Sequence, residues 1–270
     1  MHRRQFIKAA AGLALCPLCA PAPVIAEAVR WSYAGDTGPD TWASLDTASQ
    51  TCAAGTQQSP IDIGEATRAQ LPVLNIAWAR HAESIVNNGH TIQLNCAEGS
   101  TLGLGKEKYS LLQFHFHRPS EHLINGKRFA MEVHFVHRNA AGALAVVGVL
   151  MATGRPNPVF NKIVTTMPHE QGPPVAADAT IDPTRLLPGR RSYYTYAGSL
   201  TTPPCSETVT WLVLTDAIQV AETDVAAFAK LYAMNARPPQ KLDRRFVLRS
   251  GSFAGSAPPP PPRSSWPTLF

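Results

Sequence analysis

Charged residues are scarce in this 270-residue chain: Asp, Glu, Lys and Arg make up only 16% of it, against roughly a quarter in an average soluble domain. Their balance is a weak +5, and no basic run with interleaved aromatics occurs, so nothing points to a nucleic-acid partner. No internal repeat is present. Mean hydropathy is −0.09, which excludes a membrane bundle at one extreme and an intrinsically disordered chain at the other. Coiled-coil and collagen-like compositions are excluded on the same arithmetic. What is plentiful is proline, 24 residues, well above the usual share of about 5%. With 44% hydrophobic residues, the length allows one large domain or two small ones, each able to bury a core.

Both ends of the chain differ from its body. Arg3-Arg4 followed by Gln5-Phe6-Ile7-Lys8 resembles a twin-arginine export signature. An apolar stretch from Ala9 to Leu15 and an A-x-A-like site at Ala26-Glu27-Ala28 complete it, so residues 1–28 are expected to be a cleaved leader and the mature protein periplasmic or secreted. A cytoplasmic protein with a frayed apolar start is the plainer alternative. Cys16 and Cys19 form a C-x-x-C, but they precede the cleavage site and receive no metal or redox role. A lipid anchor at Cys16 is disfavoured by Leu15, where a small residue is wanted. From residue 251 to 270 the chain turns to Gly, Ser and Ala and then to the unbroken run Pro258–Pro262, which favours polyproline II and cannot join a core. Trp266, Leu269 and Phe270 form either a docking peptide or incidental apolar residues of that tail.

Between residues 29 and 250 apolar residues alternate more often than they follow helical spacing. Residues 111–116, 129–136, 145–151 and 208–214 read as strands. Asn125-Gly126 lies between two apolar runs and signals a hairpin turn. Apolar stripes predict helices over residues 158–167 and 222–233, the second starting at Thr223-Asp224. The pattern describes a mainly β domain with a few short helices. It does not order the strands.

Five of the nine histidines fall between positions 115 and 137. His115 and His117 lie two apart in a strand, so their imidazoles share a face while Phe114 and Phe116 pack on the other. His134, preceded by Glu132, repeats that spacing on the expected neighbouring antiparallel strand. A lone strand histidine is ordinarily a satisfied core or surface residue. A same-face pair makes that reading about even, and a third histidine on a paired strand reverses it. Three neutral imidazoles suit Zn²⁺ with a fourth position left to water, and an all-imidazole site leaves the ion's charge undiluted, so a water bound there has a pKa near ~7 in place of ~15.7. Glu132 is placed to orient a ligand ring. His122 and His137 lack the same-face relation and read as buried structural residues. His81 and His169 read as exposed.

The chain resembles an α-class carbonic anhydrase, and the blocks that carry the resemblance run in family order over about residues 31–245. They are Gln57-Gln58-Ser59-Pro60-Ile61-Asp62-Ile63, Asn87-Asn88-Gly89-His90, Gln113 to His117, Ser120-Glu121-His122, Met131 to His137, Tyr196-Ala197-Gly198-Ser199-Leu200-Thr201-Thr202-Pro203-Pro204 and Arg237-Pro238-Pro239-Gln240. The resemblance implies one domain around a large, mostly antiparallel twisted sheet. It implies Zn²⁺ on His115, His117 and His134, with Gln113 and Glu132 bonded to ligand rings. Thr201 would orient the zinc-held hydroxide by passing its own proton to Glu121, because an ionised carboxylate only accepts. Val136, Val146, Leu200 and Trp211 would wall an apolar pocket for CO₂, although ordinary core packing accounts for such residues equally well. Tyr33, Asn88 and Thr202 would line its polar side. His90 would carry protons between the site and solvent, a role its imidazole suits at neutral pH. Without the resemblance it is a turn histidine.

Exported relatives pair cysteines at the positions of Cys52 and Cys205, and the resemblance implies that bridge here, closing a loop of 205 − 52 = 153 residues. Cys96 is then left as a buried strand thiol. Two departures from the family pattern stand out. Arg118-Pro119 replaces a Trp and a longer loop of animal enzymes, and Ala197 replaces a Pro. The expected activity is reversible hydration of CO₂ to bicarbonate, a small-molecule reaction without stable membrane insertion. A silent binding module on the same fold would lack ligand histidines, and ester cleavage by the same nucleophile would be a side reaction.

Overall fold

The computed structural model describes residues 30–251. The expected leader with Cys16 and Cys19, and the proline run with Trp266, Leu269 and Phe270, lie outside the described residues. Along the chain, two short helices come first, α1 (Trp42–Leu45) and α2 (Thr51–Ala54). Strands follow as β1 (Asp62–Ile63), β2 (Thr67–Ala69), β3 (Leu74–Ala77), β4 (Ala82–Asn87), β5 (Ile92–Cys96), β6 (Thr101–Leu104), β7 (Glu107–His117), β8 (Leu123–Ile124), β9 (Lys127–Arg128), β10 (Met131–Asn139) and β11 (Leu144–Thr153). Then come α3 (Pro158–Thr166), β12 (Val175–Ala176), β13 (Tyr193–Gly198), β14 (Val209–Leu214), β15 (Ile218–Val220), α4 (Glu222–Ala229) and β16 (Leu248–Ser250).

Thirteen strands form one sheet, running β12-β4-β5-β7-β10-β11-β14-β13-β16-β2 with β6 beside β7, β3 beside β6 and β15 beside β11. Pairing is antiparallel except where β11 meets β14 and β15 and where β16 meets β2. A parallel neighbour needs a crossover, and residues 154–208, which include α3, make the one from β11 to β14. Hydrophobic alternation is read faithfully by the long central strands. Phe114, Phe116, Val133, Phe135, Val147 and Val149 are all fully buried in the main core.

α3 closes over that core. Asn157 caps it, accepting from the N–H groups of Val159 and Phe160 at 3.0 and 3.1 Å, and Pro158 needs no partner at the first helical position. Val159, Phe160, Ile163 and Val164 form its buried side, with Phe160 5.3 Å from the Phe116 ring.

Several expectations shift at their edges. β10 starts at Met131 and not Phe129, because the Phe129 main chain is taken by Ser120: its carbonyl accepts from Ser120 N–H and its own N–H donates to Ser120 Oγ. α4 starts at Glu222 and ends at Ala229, short of residue 233. Beyond it, Arg118 donates to the Ala233 carbonyl and the Tyr232 hydroxyl to Asn87, which draw the chain off the helix. Asn125-Gly126 is a two-residue turn with φ of 50° and 75°, as a primed hairpin requires. It joins β8 to β9 in a separate three-stranded sheet, however, and β7 reaches β10 through that excursion. Cys96 ends β5 half-buried and not fully enclosed, its thiol pushed up to about 12 by burial and then by Glu83. His81 and His169 are exposed.

Candidate metal centre

β7 and β10 pair with His134 opposite His115 and Glu132 opposite His117. Residues opposed across an antiparallel pair share a face, so Gln113, His115, His117, Glu132, His134 and Val136 all project from the side opposite the phenylalanines. One nitrogen from each of His115, His117 and His134 falls in a cluster whose atoms lie within 4.8 Å of one another.

The second nitrogen of each ring is engaged elsewhere. His115 Nδ1 lies 2.8 Å from Gln113 Oε1, His117 Nδ1 lies 2.8 Å from the Asn235 carbonyl, and His134 Nε2 lies 2.9 Å from Glu132 Oε1. These partners are acceptors, so each ring carries its proton outward and turns a lone pair inward. His117 Nε2 is buried without any partner, and His134 Nε2, although 2.9 Å from Glu132 Oε1, lacks full hydrogen-bond geometry. Burial also keeps the rings neutral. It lowers His115 well below its ordinary value, with His117 and His134 adding to the effect. It brings His117 down to about 4 against the pull of the Asn235 carbonyl, and it lowers His134 against Glu132. Three uncharged imidazoles with inward lone pairs and one orphaned buried nitrogen fit a tetrahedral dication.

Glu132 is fully buried and faces four N–H groups, three of them in full hydrogen-bond geometry. His122 Nδ1 and His134 Nε2 approach Oε1 at 2.8 and 2.9 Å, and the N–H groups of Glu121 and His122 donate to Oε2 at 3.0 and 2.8 Å. Burial alone would raise this carboxyl, but His122 and His134, by field and hydrogen bond, hold it well below the usual range. Behind it, His122 Nε2 lies 2.7 Å from the Tyr196 hydroxyl, which is 3.0 Å from Ser59 Oγ. Gly148 faces His134 from β11. A Cβ there would come within 2.9 Å of Glu132 Oε1, so this position has no room for a side chain while Glu132 stays in place.

Glu121 is buried on the other side of the histidines, 3.5 Å from His117 Nδ1 and 3.9 Å from His134 Nδ1. Arg237 N–H donates to its Oε1 at 2.8 Å. Burial raises this carboxyl to about 7, opposed by His134, the Arg237 N–H and the Thr201 hydroxyl. Thr201 thus faces Glu121 closely enough to favour its ionised form, although Oε2 has no partner of full hydrogen-bond geometry. The Arg237 guanidinium is itself buried, donating to Gln58 Oε1, the Ser59 carbonyl and the Cys52 carbonyl at 2.9, 2.8 and 2.9 Å. Cys52 and Cys205 are disulfide-bonded, with Cα atoms 5.0 Å apart, and Gln58 Nε2 donates to the Cys205 carbonyl at 3.1 Å. The segment that carries Thr201 is therefore pinned to the N-terminal helices.

A cavity of about 140 Å³ opens over the histidines, lined by Trp31, Tyr33, Asn88, His90, Thr91, Gln93, Gln113, His115, His117 and Thr202. His90 is half-buried in its wall, its ring stacked 3.7 Å from Trp31 at 5°, and burial lowers it from its ordinary value. Val136, Val146 and Trp211 form one row across β10, β11 and β14, and Leu200 packs with them in a second apolar cluster. A larger surface groove of about 1000 Å³, lined by Thr195, Tyr196, Ala197 and residues 243–246 among others, contains none of the histidines. Asp243, Arg244 and Arg245 line it, but none of its residues belongs to a group that could hold a metal ion.

A family model described as eukaryotic-type carbonic anhydrase matches residues 37–251. The chain belongs to that family. It is 37% identical to a carbonic anhydrase of Nostoc sp. over 93% of this chain and 98% of that one. Against a carbonic anhydrase of Pectobacterium carotovorum it is 40% identical over 82% and 91%. The α-carbonic anhydrase of Thermovibrio ammonificans, solved with the inhibitor sulfanilamide, superposes with a TM-score of 0.80 at 40% identity, covering 82% of this chain and all of that one.

In this carbonic anhydrase the three expected ligand histidines form one group, His90, Asn88, Tyr33, Thr202 and Gln113 line the cavity over them, and Val136, Val146, Leu200 and Trp211 lie in the adjoining apolar cluster and not in that lining. His122, read as merely structural, touches Glu132 directly and belongs to a second potential ligand group with Glu132 and His134. Its place in Ser120-Glu121-His122 was a usable signal. Trp31, Tyr196, Ser59 and Asn235 were not singled out for the site, because each reaches it from a distant segment. Among the described residues no helix is long and apolar enough to cross a membrane.

Proposed function

We propose that the chain catalyses reversible hydration of CO₂ to bicarbonate and a proton at a Zn²⁺ ion held by His115, His117 and His134. The observation that carries this reading is the trio of neutral imidazoles, each with its outer nitrogen within 2.9 Å of an acceptor and with one nitrogen in a single cluster. When bound, Zn²⁺ supplies a Lewis acid that brings the pKa of water toward ~7 and so makes a nucleophile at neutral pH.

The protein's own groups then direct the attack. The Arg237 N–H fixes Glu121; in its ionised form this carboxylate only accepts, so the Thr201 hydroxyl donates its hydrogen bond to Glu121 and keeps a lone pair toward the cavity. A solvent oxygen donating to that lone pair has its own nucleophilic pair aimed away from Thr201. Val136, Val146, Leu200 and Trp211 offer CO₂ an apolar wall, apt for a molecule with no hydrogen to donate. Each turnover leaves a proton behind. His90, in the same cavity as His115 and His117, takes it up and returns it to solvent. Tyr33, Asn88 and Thr202 give the intervening water its polar contacts. The Cys52–Cys205 bridge supports residence in an oxidising compartment, and export through the twin-arginine-like leader belongs to the same proposal.

The test is His134→Ala, followed by zinc content and stopped-flow CO₂ hydration. Zinc near zero per chain and a loss of activity on the order of a thousandfold or more are expected; one zinc per chain with ordinary turnover would refute the ligand assignment. His90→Ala should slow turnover in weak buffer, with imidazole restoring it.

A further inference from the structure

The main chain around His90 is held from two sides. Asn88 Oδ1 accepts from the N–H groups of His90 and Thr91 at 3.0 and 2.9 Å, and Asn88 N–H closes the turn on the Thr91 carbonyl at 3.2 Å. On the far side the His90 carbonyl accepts from Asn235 Nδ2 at 2.9 Å. That same nitrogen donates at 2.9 Å to the carbonyl of Phe116, the residue between two of the three histidines. Every other group of Asn235 is also engaged. Its Oδ1 accepts from Arg118 N–H at 2.7 Å, its N–H donates to the Arg118 carbonyl at 2.9 Å, and its carbonyl meets His117 Nδ1 at 2.8 Å. The residue is fully buried. The imidazole of His90 makes no hydrogen bond among the described residues and rests on the Trp31 ring, so its reach into the cavity is set by where its main chain is anchored.

We infer that the Asn235 carboxamide is a positioning residue for proton transfer, bridging the His90 turn to β7 and so fixing how far the His90 ring stands from the metal centre. The inference rests on the reading of His90 as the proton carrier. It assigns the side chain a task separate from that of the Asn235 carbonyl, which orients His117. A carboxamide suits this joint because its two N–H bonds can meet two carbonyls at once while its oxygen accepts a third main-chain group. No other common side chain of that size does all three.

The experiment compares Asn235→Ser and the isosteric Asn235→Asp with the zinc-loaded full chain. Both lose the paired donors and keep the main-chain carbonyl on His117. In weak buffer kcat is expected to fall on the order of tenfold, since a displacement of about 1 Å is costly to a transfer step, while kcat/KM falls distinctly less and imidazole restores most of kcat. In a His90→Ala background either substitution should take no further factor from kcat, because residues that act as one unit do not contribute additively. Equal falls in kcat and kcat/KM, or losses that multiply with that of His90→Ala, would overturn the inference and place Asn235 in metal binding or folding alone. Full turnover by His90→Ala itself would overturn the proton-carrier reading, and this inference with it. Slowing by His90→Ala without slowing by either Asn235 variant would overturn only the inference. Should both variants fail to fold, NMR of the unaltered protein decides: Asn235 side-chain amide protons protected from exchange and scalar-coupled to the His90 carbonyl support the joint, and freely exchanging ones refute it.

Discussion

His137 offers a quantitative test of how the fold sorts its histidines, through the substitution His137→Leu. The native ring is fully buried, with Nδ1 3.2 Å from the Ala145 carbonyl and Nε2 without a partner. Burial pushes it down to about 4 from an ordinary 6.5, against the pull of the Ala145 and Phe135 carbonyls. Between those values the unfolded chain binds a proton that the native chain refuses. The native state is therefore at no disadvantage above the unfolded value and loses stability as pH falls from there toward the folded one. A gap of about 2.5 units at about 1.4 kcal/mol each amounts to about 3 kcal/mol. Urea unfolding of both proteins, equally zinc-loaded, from about pH 7.5 to about pH 4.5 reads it out. The leucine shifts the curve by a constant, and the other histidines titrate alike in both proteins, so only the slope difference matters. The stability of the unaltered protein should drop by about 2.5 kcal/mol more than that of the variant over this range, which ends half a unit short of the folded value. Parallel curves would show that His137 is not held neutral by the fold.

Two further outcomes are expected. Gly148→Ala would thrust a Cβ to 2.9 Å from Glu132 Oε1, and a carboxylate facing four N–H groups has little freedom to yield. Zinc affinity by chelator competition should weaken about 10- to 100-fold, with about 1–3 kcal/mol of stability lost; unchanged affinity would mean that Glu132 does not orient His134. Reduction of the Cys52–Cys205 bridge releases a sequence separation of 153 residues, for which chain entropy gives about 5 kcal/mol. Urea curves with and without reductant should differ by that order, and coincident midpoints on protein shown by mass to be reduced would refute it.

The reactive face was legible because strands have the shortest period there is. Two histidines at a spacing of two, and a third with a glutamate at the same spacing, define a face without knowledge of which strand lies next to which. The resemblance supplied what spacing does not, above all the roles of Thr201, Glu121 and His90. Strand order stayed hidden, since alternation says that β14 is half of a buried layer but not that it runs parallel to β11. Asn235 was invisible for a related reason. It works through bonds to His90, Phe116, His117 and Arg118, all over a hundred residues upstream, and no local pattern marks a residue whose partners are that remote. The Asn125-Gly126 turn shows the converse: its local geometry was readable, but the strands it joins were not.

The contrast between the two sides of β7 and β10 has a consequence for how the chain can go wrong. Slide β10 by one position, and Glu132 and His134 enter an oily layer of phenylalanines while Val133 and Phe135 turn outward beside the cavity. Such a neighbour arrangement carries buried charge on one side and stranded grease on the other, so it has nothing to recommend it over the open chain. A molecule that closes this ribbon in the one tolerable alignment already owns its reactive corner, with no separate assembly left to perform.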